Sequence, residues 1–429
     1  MHKVYKYTVH FLSRGESKKM KILMMGWEFP PFFAGGAGMV CKELTQSLND
    51  LGVEVTFVMP KGPEHVYEKL NEKTPENFTI KIASKFEKTT FVPIKSLLTA
   101  YTSKQEYQEK KQSIDNSDAD SSLYGGNLKE EIYRFADVVE AMFEEEDFDV
   151  IHAHDWVTFP AATRLKEKTN NPLVTHVHIT EYDKSGGLHA DPFIHSIEKK
   201  GMDMSDKIVT VSNRIKSRIV SHYYQEENKV DVVHNAPLPM KDGNQAKTFF
   251  HSLGQRIVLF AGRITLQKGP EFFVEAATIA LQHDEDILFV VAGSGDKLGE
   301  IMERVAQRGL SKHFLFTGFY TREDAVKLFS MADLFVMPSV SEPFGIVPYE
   351  AQVQKTPTII SKQSGIAEVL EHTFRVDFWD THRMAELILC LANYETLNKE
   401  MRMNGYREAK NTTWHEPAQK CIDVYNEVM

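Results

Sequence analysis

The sequence predicts an α/β chain of two parallel-sheet domains. Three observations lead there: a length of 429 residues, strand-turn-helix alternation in both halves, and a polar stretch near the middle. One hydrophobic core seldom organises so long a chain, so two domains of ordinary size are expected. The first half opens with an apolar run at 22–25, the glycines Gly35, Gly36 and Gly38, a helical segment at 39–51 and an apolar run at 53–59. Glycines between strand and helix in a β-α-β unit imply a parallel sheet with a right-handed crossover.

The rhythm breaks at 97–128, where low hydropathy around 113–122 reads as a surface loop or lid. A helix at 130–145 restores it, followed by strands at 149–153, 173–176, 208–211 and 229–233. Residues 239–255 have the polar, glycine-containing composition of a linker. The second half restarts with strands at 256–260, 287–292 and 333–337 and a helix from Pro270. Ala418, Cys421, Ile422, Tyr425 and Val428 recur at helical spacing, so 414–428 reads as a terminal amphipathic helix. The division that follows is a tail at 1–19, an N-terminal domain at 20–240 completed by a helix at 410–429, and a C-terminal domain at 241–409.

Composition excludes several classes. A formal net charge of -10 disfavours nucleic acid or anionic lipid as the main partner. The three cysteines, Cys41, Cys390 and Cys421, are scattered and carry no zinc-site spacing, which suits a reducing cytoplasm. The first nineteen residues are basic but lack a continuous apolar stretch, and no later run is long enough to span a bilayer. The expected protein is cytoplasmic, with no integral membrane association.

The segment Ser341-Glu342-Pro343-Phe344-Gly345-Ile346-Val347-Pro348-Tyr349-Glu350 follows an apolar strand and sets two carboxylates eight positions apart. That is slightly over two helical turns. Glu342 then lies in the turn, facing a sugar, and Glu350 sits deeper on the following helix, placed to accept from ribose hydroxyls. Backbone N–H groups near Gly345 and Ile346 open that helix and point at an anion. Bare carboxylate spacing would mean only two solvated charges; the strand, proline, phenylalanine and glycine in their places decide otherwise. The segment resembles the E-x7-E signature of retaining GT-B glycosyltransferases, in the EPFG form of family 4.

A second segment, Gly262-Arg263-Ile264-Thr265-Leu266-Gln267-Lys268-Gly269, also follows a strand. It matches the family's G-R-x4-K-G pattern, and preorganised Arg263 and Lys268 suit the charge of a departing nucleoside diphosphate. The loop from Gly26 to Gly38 matches the family's glycine pair at Gly35 and Gly36, facing the donor diphosphate from the opposite domain. It is not a dinucleotide fingerprint, because Val40 and Cys41 follow.

Two histidine-rich turns, His152-Ala153-His154-Asp155-Trp156 and His176-Val177-His178-Ile179-Thr180-Glu181-Tyr182-Asp183, are similar to the glycogen-synthase-like branch of family 4. The resemblance assigns His178 to the donor sugar and Asp155 to the acceptor side, and leaves His176 as a hydrogen-bonded core residue. H-x-H suggests zinc, but no third ligand stands beside it, so no metal is expected. Gly293 and Gly318, with Phe319 and Tyr320 after them, occupy positions where relatives hold base and ribose. The sequence departs from the family at Ala236 and Lys355, where glycines are usual, which puts local backbone geometry in question.

The resemblance implies a GT-B fold, two Rossmann-like domains facing each other across a cleft. It also implies transfer of a hexosyl group, glucose foremost, from a UDP- or ADP-sugar to an α-glucan or other saccharide acceptor. No cofactor is implied, the nucleotide sugar being a substrate. A GT-B enzyme that does not transfer, such as a nucleotide-sugar 2-epimerase or hydrolase, is the alternative. The D-x-D segments Asp118-Ala119-Asp120, Asp147-Phe148-Asp149 and Asp284-Glu285-Asp286 read as solvated loop charges rather than metal ligands.

Overall fold

The computed structural model describes residues 19–26, 29, 36–59, 89–93, 128–184, 189–241, 243 and 249–429. Most of the sequence's tail and of its polar stretch at 97–128, together with Gly35 and the Asp118–Asp120 segment, lies outside these residues.

Among the described residues, thirteen strands form two wholly parallel sheets. The first contains β1 (Lys21–Met25), β2 (Glu54–Met59), β3 (Thr89–Pro93), β4 (Val150–His154), β5 (Leu173–Val177), β6 (Lys207–Thr210) and β7 (Val230–Val232) in the order β3-β2-β1-β4-β5-β6-β7. The second contains β8 (Arg256–Ala261), β9 (Ile287–Ala292), β10 (Phe314–Gly318), β11 (Leu334–Met337), β12 (Thr358–Ser361) and β13 (Phe374–Val376) in the order β10-β9-β8-β11-β12-β13. Each order reverses once, beside β1 in the first sheet and beside β8 in the second. A reversal opens a crevice at the carboxyl ends of the strands, where ligands bind in doubly wound sheets.

The strands are legible as apolar runs because helices cover both faces, leaving β4, β5 and β9 buried at every position. The sequence missed the edge strands β3 and β13. In β13, Arg375 is exposed and Phe374 half-buried, so the run is short and mixed.

The helix His415–Val428 returns to the first sheet. Trp414, Ala418, Cys421, Val424 and Tyr425 pack with Ile22, Met24, Leu44 and Leu48, and Trp414 Nε1 donates to the carbonyl of Pro237 at 2.9 Å. Lys355 has φ +62 at the end of the helix Val347–Val353, so the left-handed turn that favours glycine is made here by lysine. Ala236 is buried and is not among the residues with positive φ, so alanine fits there without strain.

Candidate active site

Three turns at the carboxyl ends of β8, β9 and β10 interlock through their backbones. Gly262 N donates to Ala292 O at 3.0 Å, Ile264 N to Ser294 O at 2.9 Å and Gly293 N to Gly318 O at 2.8 Å. The approach is close enough to demand glycine: a Cβ on Gly293 (φ +140) would lie 1.8 Å from the carbonyl oxygen of Gly262. The result is a backbone platform with Gly262, Gly293 and Gly318 on one floor, from which the exposed side chain of Arg263 rises.

The turn Leu266–Lys268 is tied to the loop after β11, since Val340 N donates to Gln267 O at 3.0 Å. This brings Lys268 Nζ onto the carboxylate of Glu342 as a direct ion pair. Glu342 is 7% exposed. Its backbone is pinned from below, with Glu342 N donating to Gln363 O and Gly365 N to Glu342 O, each at 3.0 Å. Gly345 has φ +93, and a Cβ there would come 2.8 Å from Glu342 Cγ, so the EPFG glycine is required beneath the carboxylate. Phe344 is buried and packs between His234 and Tyr349.

Glu350 is half-buried, so Glu342 rather than Glu350 is the more enclosed of the two. The loop of Glu342 is capped by residues 363–365, whereas Glu350 lies on the helix Val347–Val353. Burial pushes the Glu350 carboxyl up to about 6, against the pull of the Arg322 charge. Across the cleft, Gly36 opens the helix Gly36–Asp50, and a Cβ on it would meet Ile346 Cδ1 at 4.0 Å. Gly36 and Ile346 therefore face each other from opposite domains.

The first domain's wall is a two-by-two array of imidazoles. Residues two apart on a strand share a face, so His152 and His154 on β4 align with His176 and His178 on and after β5. His154 Nδ1 is 2.8 Å from His178 Nε2, and His152 Nε2 is 3.2 Å from His176 Nδ1. The two pairs stack, with centroids 4.4 Å apart for His152 and His154 and 4.2 Å for His176 and His178. Tyr425 reaches His152 Nδ1 from the helix that returns.

Burial, with mutual repulsion second, lowers the His152 ring to about 3 and holds His154 and His176 well below the usual histidine value. His178 is also lowered by burial, although the charge of Asp155 opposes this. Asp155 has φ +57, a strained conformation for a residue with a side chain, and its Oδ1 accepts from His178 N at 2.8 Å. The pairing of turns at 152–155 and 176–178, separate in sequence, comes from the β4–β5 register that sets His154 opposite His176.

Sequence reasoning missed the residues that join the two walls. Ser341 Oγ, next to Glu342, donates to Asp183 Oδ1 at 3.1 Å, and Arg218 holds the same carboxylate oxygen at 2.5 Å. Ser212 Oγ donates to the carbonyl of Pro343 at 2.7 Å. Glu368 of the second domain accepts from Asn213 N at 2.8 Å, Arg214 N at 2.9 Å and His234 Nε2 at 2.8 Å. Burial would raise Glu368, but these hydrogen bonds hold it below the usual range.

The D-x-D aspartates sit elsewhere. Asp149 Oδ2 accepts from Lys21 N at 2.8 Å and Asp147 pairs with Lys21 Nζ at 2.7 Å, before β4 begins. Asp284 Oδ1 accepts from Asp286 N at 2.9 Å ahead of β9. Both segments lie at the amino ends of their strands, opposite the crevice. No helix among the described residues is long and apolar enough to cross a membrane.

Comparison with known proteins agrees in both halves. Residues 243–408 match the family model for glycosyl transferases group 1, and residues 21–232 that for the starch synthase catalytic domain. An uncharacterized glycosyltransferase of Methanocaldococcus jannaschii is 30% identical over 364 residues, 82% of this chain and 83% of the relative. Among solved structures, the sucrose-phosphate synthase of Thermosynechococcus elongatus aligns with a TM-score of 0.72 at 18% identity, covering 95% of this chain and 99% of that one. An Anabaena protein in complex with UDP-glucose aligns at a TM-score of 0.65 and 14% identity, covering 95% and 100%. With two doubly wound sheets and an EPFG loop beside a glycine-floored platform, the chain belongs to the GT-B glycosyltransferases of group 1, in the glycogen- and starch-synthase-like branch, and is an enzyme of glycosyl transfer.

Proposed function

We propose that this enzyme transfers a hexosyl group, glucose foremost, from a UDP- or ADP-sugar to a hydroxyl of an α-glucan or other saccharide, in the cytoplasm and with retention at the anomeric carbon. The observation that carries the reading is the Lys268–Glu342 ion pair, on a loop that Ser341 ties to Asp183 of the domain bearing the histidines. The starch-synthase match of the first domain supports a glucan acceptor. The fold shared with a protein solved with UDP-glucose supports the donor.

In this reading the donor diphosphate lies on the floor of Gly262 and Gly293, held by Arg263, Lys268 and the N–H groups near Gly345 and Ile346, with Gly36 closing from the other side. Gly35 belongs to the same loop by family pattern and lies outside the described residues. Gly318 borders the base, and Glu350 accepts from ribose. As the bond between anomeric carbon and phosphate oxygen breaks, the acceptor hydroxyl attacks from the same face and its proton passes to the departing phosphate. Glu342 and His178 orient the sugar, and Asp155 orients His178 through its backbone N–H. Charge developing on the leaving group meets fixed cations, so a divalent metal is redundant in that role.

The test is a panel of UDP- and ADP-sugars scored for nucleoside diphosphate release, with and without glycogen or maltooligosaccharides. Acceptor-dependent release with one of these donors is expected. Product formed from the nucleotide sugar alone would favour a 2-epimerase or hydrolase instead.

A further inference from the structure

The imidazole array holds more ligand atoms than sugar recognition requires. Cys41, on the helix Gly36–Asp50, is 3% exposed and stands over His154 and His178, which are 1% and 8% exposed. The sulfur of Cys41 and a ring nitrogen from each of the two histidines lie within 4.8 Å of one another. His152, His154 and His176 form a second such triangle that shares His154. His154 Nε2 and His176 Nε2 are buried with no hydrogen-bond partner. Leaving a buried polar atom unsatisfied costs about 1–3 kcal/mol, and His154, which carries one of the two, belongs to both triangles, so it points to a ligand there.

We propose that Cys41, His154 and His178 form a binding site for a borderline d-block divalent cation of the zinc class, and that its occupancy silences the enzyme by removing His178 from the donor sugar. The donor set decides the class. One thiolate with imidazoles suits zinc or cobalt, whereas magnesium and calcium demand oxygen ligands. Ligand atoms around one zinc ion lie roughly 3.3–3.8 Å apart, given bonds of about 2.0–2.3 Å. Side-chain rotation within the triangle supplies the difference. Neutral imidazole is the form that coordinates, and burial favours that form in both rings.

The exchange balances simply. The thiol of Cys41 loses its proton to solvent, the hydrogen bond between His154 Nδ1 and His178 Nε2 is given up, and the sulfur and one lone pair from each ring bind the cation. Each ring keeps one proton: His154 carries its own on the nitrogen not bound to the cation. The sequence concealed this site because its third ligand is not near the H-x-H turn; it comes from a helix 113 positions earlier than His154, at Cys41.

The blocking half of the proposal rests on His178 contacting the sugar; the binding half does not. The test uses the full chain, stripped with chelator and titrated with cobalt(II) as the spectroscopic probe. One equivalent should bind with a thiolate-to-cobalt charge-transfer band and release about one proton per ion. Cys41→Ser should lose the band, keep its glycosyl transfer and need at least ~10-fold more zinc for inhibition, since even outer-shell losses cost that much. Absence of the band in the wild-type protein overturns the site, whether or not variants fold, as does a Cys41→Ser protein that binds equally well. A band without zinc inhibition overturns the blocking half and, with it, the placement of His178 against the donor sugar.

Discussion

Lys268 and Glu342, 74 positions apart, meet as an ion pair in which the carboxylate is the more buried partner. Each therefore holds the other in the crevice, and neither is a freely solvated charge.

The first prediction concerns Glu342. Glu342→Ala should reduce turnover on the order of 100-fold or more, as for loss of a preorganised contact to a charge-developing centre. Nucleotide binding, measured by calorimetry, should largely survive. Near-normal turnover in a folded variant would remove Glu342 from the sugar.

Arg263 and Lys268 should act on one diphosphate, so their effects on turnover should not add. The double alanine variant is expected to be little worse than the poorer single. Strict additivity in a double-mutant cycle would show separate targets.

Activity should persist in excess EDTA, and the linkage formed from an α-configured donor should be α by NMR. Loss in EDTA with rescue by manganese would overturn the metal-free reaction, and a β product the retaining one. A rise in activity on chelation is the outcome that the zinc-class site adds.

Glu198 makes the fold sensitive to base. It is 2% exposed and bonded to the hydroxyl of Tyr223, and burial pushes its carboxyl up to about 8 from an ordinary 4.5. The folded chain thus keeps a proton that the unfolded chain gives up. Stability is full below about 4.5 and falls as pH rises toward about 8, by at most about 1.4 kcal/mol per pH unit from this group. Glu198→Gln should flatten that slope in denaturant titrations at several pH values; an unchanged slope would refute it.

Much of this was legible in the sequence for physical reasons. Strands covered on both faces must be apolar throughout, which exposed β4, β5 and β9, and glycines where backbones touch marked Gly262, Gly293 and Gly345. What stayed hidden depends on register and on domain contact. His154 meets His178 only because β4 and β5 align as they do, and Glu368 meets Asn213 only because two domains close. Neither fact leaves a local pattern. Lys355 shows the opposite limit, a turn kept without its usual glycine.

The return of the helix His415–Val428 to the first sheet has a consequence for synthesis. Tyr425, which reaches His152, is translated only after the whole second sheet has left the ribosome. Until then Leu44 and Leu48 lack their apolar cover. The first domain is begun first and finished last, so its nascent form must wait, part-exposed, while its neighbour is made.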